Sequence, residues 1–131
     1  MLRIATKLDD QLEQLVHDTI GCFIAVHCEL GPGLVEPAYQ RAAECELEAR
    51  GIPFEHEKKV PIMYRNTRVY THRLDLVVGS KILVELKAVD RLHPVHQAQV
   101  LSGLRAAKLP IALLINFNVA ILPHGIKRFV L

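Results

Sequence analysis

Apolar residues recur at Leu8, Leu12, Leu15, Val16, Phe23 and Val26, with Thr19 in step, which is the spacing of an amphipathic helix. The pattern predicts a helix from about Lys7 to Leu30. Gly31-Pro32-Gly33 stops it, since proline removes a backbone donor and glycine permits the turn. A second helix is expected from about Leu34 to Arg50, ended by Gly51 and Pro53. The period then changes to two. Strands are expected at Lys58–Tyr64 and Arg68–Val78, either side of a polar Arg65-Asn66-Thr67 turn, and at Ile82–Ala88 after Gly79-Ser80. A third helix fits Pro94 to Lys108, with the proline in its first turn. Ile111–Phe117 reads as a strand buried on both faces, and Gly125–Leu131 as an edge strand. The order α-α-β-β-β-α-β-β describes an α/β domain, a mixed central sheet flanked by helices.

At 131 residues this is expected to be one domain covering 1–131, with 1–6 frayed. Half the residues are apolar and 23% are charged, a globular balance. Aromatics are only 5%, so the core must rest on Leu, Ile, Val and Ala. Three cysteines without CxxC spacing argue against a disulfide framework and for a reducing, cytoplasmic setting. No signal peptide is expected, because the first ten residues carry Arg3, Lys7, Asp9 and Asp10 and no apolar run. No membrane span is expected either: the uncharged stretch Leu109 to Pro123 is too short for a bilayer. Residues 1–50 hold four Lys/Arg against nine Asp/Glu, and residues 51–131 hold twelve against five. A basic second half is compatible with a polyanionic partner but does not by itself identify one.

Chemistry concentrates between His72 and Lys87. If Leu74–Val78 and Ile82–Leu86 form a hairpin, a two-residue loop puts Asp75 and Glu85 on opposite faces. A three-residue loop, Gly79-Ser80-Lys81, puts them directly opposite one another. The second register also gathers Leu74, Leu76, Val78, Ile82, Val84 and Leu86 on one apolar face, so it is preferred, with a glycine-assisted bulge at the turn. Facing carboxylates repel unless a positive charge sits between them, and an all-oxygen pair suits a hard cation such as Mg²⁺. Lys87 shares the face of Glu85, within reach of a water or phosphate. Asp, Glu and Lys so arranged suit metal-assisted phosphodiester hydrolysis. The more ordinary account is a solvated strand face on which Arg73, Asp75, Glu85 and Lys87 pair as ions, and a D-x(9)-E-x-K spacing is short enough to arise by accident.

Asp75 with Glu85-Leu86-Lys87 resembles the PD-(D/E)XK nuclease superfamily, whose restriction-endonuclease-like core runs α-β-β-β-α-β. More narrowly, Gly33-Leu-Val-Glu36-Pro-Ala-Tyr39 resembles the motif of the GxxExxY proteins. Val26-His27-Cys-Glu-Leu-Gly-Pro-Gly33, Val84-Glu-Leu-Lys-Ala88, His96-Gln-Ala-Gln99 and Leu114-Ile-Asn-Phe117 are similar to that family too, from about residue 10 to the end. The resemblance implies a Mg²⁺- or Mn²⁺-dependent nuclease acting on DNA or RNA. It implies Asp75, Glu85, Glu36 and the carbonyl of Leu86 as metal ligands, with Lys87 orienting the attacking water. Gln99 matches a position found at such sites, with His96 one turn away. Tyr39, Arg73 and His96 are the expected substrate contacts. One departure is Gly103, where the family pattern calls for an aromatic residue; its absence is expected to widen the site or remove a contact.

Other constellations are weaker. His93 and His96 lack the further ligands of a zinc site. Gly31-Pro32-Gly33 is followed by no Gly-Lys-Ser/Thr and joins two helices, so it is not a phosphate loop. His27 reads as a helix-end residue favoured by the dipole, and Tyr39 reads equally as an interior tyrosine with one satisfied hydroxyl. The competing function is a non-catalytic nucleic-acid-binding or oligomerisation module that kept the fold, or a regulatory subunit. A homodimer is expected from size, since paired cuts need two sites.

Overall fold

A computed structural model describes residues 8–131; the expected fraying of residues 1–6 lies outside them. Helix α1 spans Asp10–Leu30 and begins where the Asp9 carboxylate accepts from Leu12 N–H at 2.8 Å. Helix α2 is Glu36–Ala49, with Pro37 in its first turn. Strands β1 (Phe54–Tyr64), β2 (Thr67–Val78) and β3 (Ile82–Lys87) form an antiparallel meander. Helix α3 (Pro94–Ala107) then crosses over to β4 (Ile111–Asn116), which lies parallel to β3, and β5 (Ile126–Phe129) closes the far edge. The sheet order is β1-β2-β3-β4-β5. A short 3₁₀ turn at Leu122–Gly125 precedes β5, so that strand is shorter than the pattern predicted. β1 starts earlier than predicted, because backbone pairing with Val77 and Leu76 carries the polar Glu55 and His56 into the ladder.

Two apolar layers sandwich the sheet. Leu76, Val78, Ile82, Val84, Leu86, Leu113 and Ile115 pack beneath α1 and α2. Val77, Leu83, Ala112 and Leu114 pack beneath Val100 and Leu104 of α3. β4 is buried at every position, as its uninterrupted apolar run requires. The β2–β3 turn takes the three-residue form, with Val78 paired to Ile82 and both Gly79 and Ser80 at positive φ. A Cβ at residue 79 would also come within 2.6 Å of Leu15, so glycine serves both the turn and the helix contact. His27, in the last turn of α1, is also a tether: its Nε2 bonds the carbonyl of Val119 at 2.8 Å.

Candidate active site

The β2–β3 ladder pairs Val78 with Ile82, Val77 with Leu83 and Leu76 with Val84, and stops there. Beyond it, two carboxylates take over the backbone's hydrogen bonds. Leu86 N–H donates to Asp75 Oδ2 at 2.9 Å, and Asp75 N–H donates to Glu85 Oε1 at 3.3 Å. The β1–β2 ladder is interrupted at the same level, since pairing skips Glu57, whose φ is +52°. Gln40 of α2 fills that gap: its Nε2 donates to the Asp75 carbonyl at 3.0 Å. Gln40 also donates to Glu44 Oε2 at 3.2 Å, and Glu44 accepts from His56 Nδ1. A buried amide and a buried carboxylate thus replace a missing strand bond at Asp75.

The interruption overturns one expectation. Strict alternation put Leu74 on the face of Leu76, but Leu74 is buried with Val77 and Leu83 under α3. The side-chain alternation slips by one residue at Asp75, so Leu74 and Leu76 fall in different layers. The face opposite the α1–α2 core is not solvated either, because α3 covers Val77 and Leu83.

A cleft of about 240 Å³ opens around the pair, lined by Glu36, His72, Arg73, Asp75, Glu85, Lys87, His96, Gln99 and Val100. Hollows of about 410 and 400 Å³ lie elsewhere, so chemistry rather than size singles this one out. Seven of the residues singled out in the sequence line it, contributed by α2, β2, β3 and α3. Leu86 contributes no side chain: it is fully buried in the core, and its N–H is held by Asp75. Tyr39 is not among the lining residues. It is fully buried, stacked on Phe117 at 4.5 Å, and its hydroxyl donates to Gly31 O and accepts from Leu34 N–H. That hydroxyl ties down the α1–α2 loop and is spent there.

The cleft is short of positive charge. Burial, the negative charge of Asp75 and hydrogen bonding with its carboxyl push Glu85 up to about 8, against the bond from Asp75 N–H and the pull of Lys87. Glu36 is raised by burial and then by Asp75, with Lys87 and Arg73 opposing. His96 is lowered by burial, by Lys87 and by His93. Its Nδ1 accepts from His93 N–H at 3.0 Å, so the neutral ring carries its proton on Nε2. Arg73 leans toward Glu57 at 3.4 Å.

These donors fit a hard divalent cation. Two carboxylates held against each other at the cleft wall repel, and a shared proton or a bound cation relieves that repulsion. Among the described residues no three or more His, Cys, Asp or Glu side chains form a ready ligand cage. Mg²⁺ and Mn²⁺ do not need one, since one or two carboxylates, waters and a substrate phosphate complete their shell, whereas zinc needs three or four protein ligands.

Sequence reading missed His72, the Gln40–Glu44–His56 relay and Asn116. Asn116 is 2% exposed and brackets the loop before α3, donating to Val89 O at 2.8 Å and accepting from Val89 N–H at 3.0 Å. An asparagine inside an apolar strand was the available signal. The relay had none, because α2 and β1 meet only in the fold. Gly103 faces the sheet, where a Cβ would lie 3.0 Å from Leu74, 3.4 Å from Nε2 of the cleft residue His72 and 3.5 Å from Leu83. Glycine there lets α3 sit close to the sheet at the edge of the cleft.

Among the described residues no helix is long and apolar enough to cross a membrane. No curated protein and no solved structure matches the chain. A family profile described as the PD-(D/E)XK nuclease superfamily matches residues 13–129, nearly the whole domain and every element that builds the cleft. The chain belongs to the PD-(D/E)XK nuclease superfamily.

Proposed function

We propose that this chain is a divalent-metal-dependent phosphodiester hydrolase acting on DNA or RNA, one of the GxxExxY proteins within its superfamily. One observation carries the reading: Asp75, Glu85 and Lys87 share a cleft with Glu36 and Gln99, though four separate elements supply them. Asp75 and Glu85 would hold Mg²⁺ or Mn²⁺, with Glu36 and the Leu86 carbonyl as further oxygen donors. The bound ion would supply acidity for a water and neutralise charge developing on the phosphate.

The remaining work falls to the chain. The charge of Lys87 reaches Glu36, Glu85 and His96, so its ammonium is the cation best suited to orient the attacking water. The exposed Gln99 amide, from the helix facing the pair, donates to a phosphate oxygen. His96, kept neutral, offers Nε2–H to the same phosphate without competing for the metal. Arg73 steers the polyanion at the rim. Free Cys22, Cys28 and Cys45 support a reducing, cytoplasmic setting, and a homodimer would supply two sites for paired cuts.

Calorimetric titration of Mn²⁺ into the parent and into Asp75→Asn tests the site, and cleavage of labelled DNA and RNA tests the reaction. The expected result is saturable binding and cleavage by the parent, both lost in the variant. Cleavage that survives Asp75→Asn overturns the assignment. Salt-sensitive nucleic-acid binding without cleavage in either metal would make the chain a non-catalytic binding module instead.

A further inference from the structure

We propose that the outer half of the β1–β2 hairpin is a docking arm for single-stranded nucleic acid, leading the strand into the cleft along the face that carries His72. The inference rests on the hydrolase reading for its substrate class and adds the surface that holds the substrate.

From Lys58 to Arg73 the chain has five Lys/Arg and no Asp or Glu. β1 is an edge strand, and β2 pairs with β3 only from Leu76 onward, so the outer hairpin pairs only with itself. It nevertheless presents large apolar side chains: Met63, Tyr64, Val69 and Tyr70 are each more than half exposed. Cations interleaved with exposed rings are how proteins hold unpaired strands, the cations tracking phosphates and the rings stacking on bases.

Register decides which side is used. Val60 is buried under α3, and its pair partner is His72, which lines the cleft. Tyr70, paired with Ile62, is next outward on that face, its ring 6.3 Å from His72; beyond it the register shift pairs Arg68 with Met63 and turns Arg68 to the other face. Tyr70 and His72 thus lead from the outer hairpin to the cleft. An exposed tyrosine 63% accessible to solvent finds a stacking partner in an unpaired base, not in the closed stack of a duplex.

A second copy adding to the β1 edge is the competing occupant, and the edge is built against it. Pro61 has no N–H to donate, Lys58 and Lys59 place charge there, and the register shifts between Ile62 and Met63.

Fluorescence anisotropy with a labelled single-stranded DNA in EDTA reads binding with metal-dependent cleavage switched off. Tyr70→Ala is expected to weaken binding about tenfold without changing its salt dependence. Thr71→Ala, on the opposite face, is expected to bind like the parent. Both positions are exposed, and melts matching the parent establish that each variant is folded. Parent-like binding by Tyr70→Ala overturns the arm. So does tighter binding of the matching duplex, or a dimer that Tyr70→Ala disrupts while no oligonucleotide is bound. A parent that cuts, with a Tyr70→Ala variant that binds and cuts equally well, overturns the arm and leaves the hydrolase standing. Tyr70-dependent strand binding without cleavage in Mg²⁺ or Mn²⁺ sustains the arm and overturns the hydrolase.

Discussion

Replacing Glu85 with glutamine keeps the shape of the side chain and removes the charge that the cleft does not balance. In the folded chain burial and Asp75 raise this carboxyl from 4.5 to about 8. The folded state therefore holds the proton more tightly than the unfolded state. Its stabilising share is complete below about pH 4.5 and is lost as pH rises through about 8. By pH 7 roughly 2.5 pH units of that window are spent, on the order of 3 kcal/mol at 1.36 kcal/mol per unit. Glutamine never ionises and escapes the loss. Unfolding entropy of about 2.1 cal/mol/K per residue converts 3 kcal/mol into a rise in Tm of about 10 °C for a chain this size.

The assay is a thermal melt of parent and Glu85→Gln in chelator at pH 4.5, 7 and 8. The variant should match the parent at the lowest pH and exceed it increasingly above. Mn²⁺ should then narrow the gap from the other side, since an ion at a hundred times its Kd stabilises the parent by about 2.7 kcal/mol and the variant by almost nothing. If the variant melts at or below the parent at pH 8 in chelator, the strained-pair reasoning is refuted. A functional residue that destabilises its own fold is the signature sought.

Tyr39→Phe removes the hydroxyl that links Gly31 and Leu34; it should cost about 1–2 kcal/mol, read as a Tm fall of several degrees, with Mn²⁺ affinity unchanged. Gln40→Leu strips the Asp75 carbonyl of its donor, and calorimetry should find Mn²⁺ affinity reduced about tenfold or more, as for other residues that hold metal ligands in place. Gly103→Tyr, which restores the aromatic of the family pattern, should destabilise by about 3 kcal/mol or more in denaturant titration, since even a Cβ there lies 3.0 Å from Leu74. In buffers of different ionisation heat, Mn²⁺ binding below pH 8 should release a proton from the Asp75–Glu85 pair, with release fading above that pH.

The element order was legible because each segment keeps one period: helical through Val26, twofold through the hairpin, unbroken apolar in β4. The turn length was legible for the same reason, since only the three-residue loop kept polar residues off the apolar layer. What alternation could not reveal was its own failure at Asp75. That slip depends on Glu57 turning to positive φ and on Gln40 arriving from α2, contacts made by residues far apart in the chain. Tyr39 illustrates the converse. Its spacing from Glu36 put it on the right helix, but one helix has more than one face, and only packing on Phe117 assigns it inward.

Asp75 and Glu85 are joined by a short hairpin, so they meet as soon as it zips, a local event with little loop entropy to overcome. Their desolvation waits for α3, which must close over Leu74 and Leu83 with Gly103 against the sheet and can dock only alongside its partner strand β4. The chain thus brings two like charges together early and dries them late. In kinetic terms a cost incurred late falls mainly on unfolding, so the unfolding arm of a chevron should speed up with rising pH in chelator and slow in Mn²⁺. The ion would then set how long the fold persists as well as any chemistry it serves.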